Sequence, residues 1–166
     1  MYKMKKSILI TLSLVLVVTS SCKKEKIGSK LVLLESDYLV FGHFYGECFG
    51  ANCISIFKLE NSRLLEDTKD TYPTSNNFYV GSYNQLSQEK FNAAKDLVDD
   101  FPTDLLNESK NVIGQPDAGD WGGIYVEYYH NGVHRFWLLD KMKSNVPIKY
   151  HNFIDKVNAK IKLLLK

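Results

Sequence analysis

Asn131-Gly132 constrains this chain more than any other pair of residues. Apolar and polar residues alternate on both sides of it, over Ile124–His130 and Val133–Leu139. Asn-Gly is the preferred pair for a type I′ turn, whose two central residues take positive φ and whose twist matches paired strands. A two-residue turn also fixes register. It places Ile124, Val126, Tyr128, Arg135, Trp137 and Leu139 on one face, and Tyr125, Glu127, Tyr129, His134, Phe136 and Leu138 on the other. The first face is the better core candidate. The second admits two readings. Tyr125, Glu127, Tyr129, His134 and Phe136 form a binding surface, since aromatics beside a carboxylate suit a sugar, peptide or protein. Alternatively a helix covers them, because Phe136 and Leu138 favour burial.

The rest of the chain supplies partners for this hairpin. Tyr38–Glu47 and Cys53–Leu59 are rich in aromatic and β-branched residues and read as paired strands. With Cys48 facing Cys53 across a four-residue loop, Phe44 falls opposite Phe57 and Gly42 opposite Leu59. A turn at Asn61-Ser62 continues the meander over Arg63–Thr68, and Phe78–Tyr83 reads as another short strand. Ser87 caps a helix whose apolar residues Phe91, Ala94, Leu97, Val98 and Phe101 recur at helical spacing, and Pro102 ends or bends it. Residues 110–123 read as a glycine-rich loop. Pro147 opens a last helix with Tyr150, Phe153, Ile154, Val157, Ile161 and Leu164 along one side. Strands separated and followed by helices predict a single α+β domain, an antiparallel sheet with hairpins packed against two or three helices.

The first residues have a different character. Lys3, Lys5 and Lys6 precede an apolar run from Ile8 to Val18, and Thr19-Ser20-Ser21 lead to Cys22. A basic start, a short apolar stretch and small residues before a cut mark a cleaved secretory signal. A membrane-spanning helix needs about 20 apolar residues, more than this run holds. Ser20-Ser21-Cys22 after the apolar run resembles the lipobox of bacterial lipoproteins, with Thr19 where an aliphatic residue is usual. The resemblance implies a signal over residues 1–21, cleavage before Cys22, and acyl groups on that cysteine. Two or more acyl chains hold a protein stably on a membrane. Residues 22–30 then read as a polar tether and 31–166 as the domain, with eight extended residues reaching up to about 28 Å. The Gly-Glu-Cys…Cys segment and Asp117-Ala-Gly-Asp-Trp-Gly-Gly123 also resemble small lipoproteins of the Bacteroidota, over most of the mature chain. Surface-exported lipoproteins of that group often carry acids soon after the cysteine, so the resemblance, with the basic Lys23-Lys24-Glu25-Lys26 here, implies an outer-membrane anchor facing the periplasm, with surface display the alternative.

Removing the signal changes the charge balance. The full chain carries 21 Lys and Arg against 19 Asp and Glu. Three of the bases lie in the signal, leaving 18 and a side-chain charge of −1 in the mature part. A nucleic-acid partner therefore gains no support. Charge is uneven: residues 60–127 hold 13 acids and 5 bases, whereas 141–166 hold 7 bases and 1 acid. The basic end could meet anionic lipid or complement the acidic middle.

Lipidation of Cys22 leaves two cysteines, Cys48 and Cys53. Outside the cytoplasm two nearby cysteines usually oxidise, so a structural disulfide is expected, with a metal site or reactive thiol pair as alternatives. Other constellations are weaker. Asp117, Asp120 and Glu127 invite a calcium reading but lack the ligand spacing of an EF-hand, and turn chemistry accounts for the aspartates. His130 and His134 would converge on a helix but point apart on a hairpin. His43 and His151 are isolated. No nucleophile elbow and no phosphate loop is present, and no cofactor is implied. The expected function is a non-enzymatic binding module anchored at Cys22, with an envelope protein or glycan as partner. The alternatives are a hydrolase using Asp117, Asp120, Glu127 or His134 in a cleft, and an inhibitor or immunity-type lipoprotein.

Overall fold

The hairpin forms as the Asn-Gly pair dictates. In the computed structural model, which describes residues 34–166, Ile124 pairs with Leu139, Val126 with Trp137 and Tyr128 with Arg135. Asn131 and Gly132 have φ of 50° and 78°, both in the left-handed region that the turn requires. The signal, Cys22 and the tether lie outside the described residues.

The strands in chain order are β1 (Tyr38–Phe44), β2 (Ile54–Glu60), β3 (Leu64–Asp67), β4 (Tyr83–Gln85), β5 (Val112–Ile113), β6 (Gly123–His130) and β7 (Val133–Asp140); the α-helices are α1 (Gln88–Ala94) and α2 (His151–Leu164). They build one α+β domain around a seven-stranded sheet of order β4-β3-β2-β1-β6-β7-β5. Every pairing is antiparallel except that of β5 with β7.

One face of the sheet carries the main core. Leu39, Phe41, Phe57, Leu59, Val126, Trp137 and Leu139 meet Ala94, Leu97, Phe101, Tyr150, Phe153, Val157 and Ile161 from the helical segments. The expected face of the last helix is the buried one: Phe153, Ile154, Val157, Ile161 and Leu164 all point inward. Each such side chain contributes roughly 1.5–3 kcal/mol when fully buried. Ser87 caps α1 by accepting from the Lys90 amide, satisfying one of the helix's orphan donors. After Ala94 the chain tightens into a 3₁₀ turn over Lys95–Asp100, and the Phe101 backbone turns extended before Pro102.

The basic C-terminal segment complements the acidic middle. Lys160 reaches Asp96 at 2.6 Å, Lys149 reaches Glu108 at 2.9 Å and Lys156 lies 3.8 Å from Asp100. Solvated pairs like these contribute about 0–1 kcal/mol each, so they orient α2 more than they stabilise it.

Three local expectations are corrected. First, β1 and β2 pair with Phe44 opposite Ile54, Gly42 opposite Ile56 and Phe41 opposite Phe57. The register is displaced by three residues because the connection runs from Tyr45 to Cys53, with the disulfide inside that loop. An odd displacement exchanges faces, so Phe57 joins Phe41 in the main core while Ile56 and Lys58 face the other side. Second, the strand expected at Phe78–Tyr83 begins only at Tyr83; the residues before it cross the second face as irregular backbone. Third, residues 110–123 contain β5, which hydrogen-bonds β7 in parallel at Leu138 and Leu139.

Candidate functional site

On the second face, β1, β6 and β7 place Tyr38, Glu127 and His134 side by side. The Glu127 carboxylate is buried and accepts three hydrogen bonds: from the Tyr125 hydroxyl at 2.6 Å, from the Tyr38 hydroxyl at 3.1 Å and from His134 Nε2 at 2.9 Å. A buried carboxylate without donors would be costly; three donors make this position tenable. Donation through Nε2 leaves Nδ1 as the acceptor of a neutral His134 ring. Burial, together with the charge of Glu127, raises the Tyr38 and Tyr125 hydroxyls above the ordinary tyrosine range. Both remain proton donors throughout the physiological range.

A loop spanning residues 68–82 covers this face, where a helix was the expected alternative. Asp67 anchors it, accepting from the amides of Lys69, Asp70 and Ser82 and from the Tyr79 hydroxyl at 2.5–3.1 Å. The Tyr79 amide in turn donates to the Tyr125 hydroxyl at 2.9 Å. Phe78 is thereby laid over His134, with ring centroids 3.7 Å apart, and meets the Phe136 ring edge-on at 5.0 Å. Tyr38 stacks on Tyr129 at 5.3 Å, and Lys58 Nζ sits 4.1 Å from the centre of the Tyr38 ring.

The five residues expected to form a surface therefore separate. Tyr125 is fully buried and Glu127 nearly so, which corrects their assignment as contact residues: they are the floor of the patch. Tyr129, His134 and Phe136 remain partly exposed. Phe78 joins them, although it lies far away in the chain and its segment read as a strand. The sole sequence signal was the short apolar run Phe78-Tyr79-Val80, which reads equally as a strand.

Asp117 organises the opposite end of the sheet. Its φ is 62°, a conformation that aspartate tolerates better than most residues. Its carboxylate accepts from the Gly46 amide at 2.7 Å, the Tyr72 hydroxyl at 2.7 Å and the Gly122 amide at 2.9 Å, binding three loops together. The Cys48–Cys53 disulfide closes the first of them, with Cα atoms 5.6 Å apart. His43 Nε2 lies 2.9 Å from the Asn52 carbonyl oxygen in the same loop, and burial lowers the pKa of this imidazole. Phe49 is fully exposed there and Trp121 is 63% exposed. A cleft of about 550 Å³ lies between residues 72–75, residues 112–118 and β7, lined by Tyr72, Pro73, Thr74, Ser75, Val112, Gln115, Pro116, Ala118 and Leu138.

The remaining candidates do not converge. Asp117 spends its oxygens on the three loops and Glu127 on the aromatic cluster, so the two share no site with Asp120. His130 turns to Asp37 at 2.7 Å while His134 turns to Glu127, as opposite faces of a hairpin require. His151 meets the Val146 carbonyl. Among the described residues, no group of three or more His, Cys, Asp or Glu is arranged to hold a metal ion. No family model and no curated protein matches the chain.

Proposed function

We propose that this chain is a lipid-anchored binding module of the cell envelope, held through Cys22 and acting without catalysis. The observation that carries the reading is a cleft of apolar walls whose flanking carboxylate, Asp117, is committed to the Gly46 and Gly122 amides and the Tyr72 hydroxyl. The residues lining the cleft include no acid, base or thiol. Glu127 and His134 lie elsewhere, with the carboxylate saturated by donors and the imidazole covered by Phe78. Apolar walls with a few hydroxyl and amide groups suit recognition, while catalysis needs reactive groups that face the substrate.

Along β7, His134, Phe136 and Leu138 form a stripe on one face that leads from the Phe78 patch to the cleft. The chain enters β1 beside the Asn131-Gly132 turn and leaves it at Phe44, near the disulfide loop. A tether from Cys22 therefore joins the end of the sheet opposite the cleft.

The anchor is tested by labelling cells with palmitate. Label on the full chain that is lost in Cys22→Ser, together with release from membranes, is the expected result. Unchanged mass and retention in Cys22→Ser would contradict it. The hydrolase alternative draws on the Glu127-oriented imidazole. It requires His134→Ala to abolish an activity that a broad ester and glycoside substrate screen can detect; no such activity is expected.

A further inference from the structure

Among the described residues, the outer edge of β7 is open beside the aromatic patch. A two-residue turn makes His130 and Val133 a mutually hydrogen-bonded pair, so Arg135, Trp137 and Leu139 also bond inward to β6. The amides and carbonyls of His134, Phe136 and Leu138 consequently point outward. The outer neighbour reaches only the last of these: Asn111 accepts from the Leu138 amide at 2.7 Å, and β5 pairs at Leu138 and Leu139. Among the described residues, the backbone groups of His134 and Phe136 have no partner.

Resting on the binding-module reading, we propose that this edge takes an extended polypeptide segment of a partner as an added strand. An open edge offers regularly spaced donors and acceptors, which is the chemistry that recognises extended backbone. The side chains flanking it define the segment. On one face, Phe78, His134 and Phe136 offer an aromatic wall. On the other, Arg135 donates to the Leu106 and Glu108 carbonyls at 3.2 and 2.7 Å. Those neutral acceptors leave its charge without a carboxylate among the described residues, and nearby Lys110 is exposed and likewise lacks one. An added strand alternates its side chains between the two faces. The segment that fits therefore alternates apolar or aromatic residues with acidic ones.

The test is residue-resolved amide hydrogen exchange on the full chain in detergent. The probe is a capped heptapeptide alternating glutamate with phenylalanine and valine. Its controls carry lysine for glutamate, or N-methyl groups on alternate amides. Without peptide, the His134 and Phe136 amides should exchange far faster than those of Arg135 and Trp137. The acidic peptide should slow them at least about tenfold, the lysine peptide much less, and the N-methylated peptide not at all. Protection of both amides without peptide would overturn the proposal. If that protection grew with protein concentration, the occupant would be a second copy. Binding without protection at His134 and Phe136 would overturn strand addition while leaving the binding-module reading intact. No binding of the acidic peptide at about 1 mM would overturn the assigned segment chemistry.

Discussion

His134 Nε2 lies 2.9 Å from Oε1 of Glu127, a diagonal contact between β7 and β6 that joins a buried carboxylate to a half-exposed ring. Glu127 also takes the hydroxyl protons of Tyr125 and Tyr38. Glu127→Leu should therefore strand the buried Tyr125 hydroxyl and cost about 2–3 kcal/mol, read as a lower urea midpoint at unchanged slope. Glu127→Gln keeps one acceptor oxygen and should cost less. Equal stability of Glu127→Leu and the parent would show that the cluster does not hold the second face.

Asp117 makes a similar prediction for the opposite end. Asp117→Ala removes three hydrogen bonds and places a Cβ residue without local side-chain bonding at a φ of 62°. A loss of about 1–2 kcal/mol is expected, with faster exchange of the Gly46 and Gly122 amides. Asp117→Gly accommodates the backbone angle but not the bonds. Its exchange should be as fast, while its stability loss should be smaller.

The disulfide closes a short loop between residues five apart in sequence. Chain entropy assigns such a closure about 2 kcal/mol. Replacing both cysteines by serine should lower unfolding free energy by about that amount in chemical denaturation. Unchanged stability would show that the hydrogen bonds of Asn52 and Gly46 already hold the loop.

Asp37 supplies a pH dependence with a definite sign. Burial alone would raise its carboxyl, but the Leu34 amide, His130 and the Asn131 amide hold its pKa below the ordinary value of 3.8. The folded state therefore binds fewer protons here than the unfolded state. The contribution is complete above the ordinary value and is lost as pH falls through the lower, folded one. Asp37→Asn should be less stable than the parent at pH 6, and the gap should close as pH drops below about 3.8. A gap that widened in acid would reverse the assignment.

These hubs explain what the sequence could and could not show. The β6–β7 register, the buried stripe of α2, the Ser87 cap and the Cys48–Cys53 pair all depend on residues close together in the chain, where turn chemistry and periodicity speak directly. The β1–β2 register was not legible, since it depends on how many residues the disulfide loop absorbs, and nothing local counts them. β5 has only two residues and takes its parallel partner from far along the chain. Asp67 reads as a strand residue and Asp117 as an ordinary loop aspartate until groups distant in the chain, Ser82 and Tyr79 for the one and Gly46 and Tyr72 for the other, reach them. The candidate surface was legible as one face of a hairpin. Its cover was not, because Phe78 arrives on an irregular segment fixed by Asp67 and Tyr125.

The most direct test of a binding module that works through the β7 side is site-specific photo-crosslinking in intact cells. A photoreactive residue replaces exposed Val133 at the β7 edge or, as a control, exposed Lys162 on α2. The account predicts a discrete polypeptide adduct from position 133 that fades when Phe136→Ala is added, and none from position 162. Adducts of equal yield from both positions, or from neither, would contradict it.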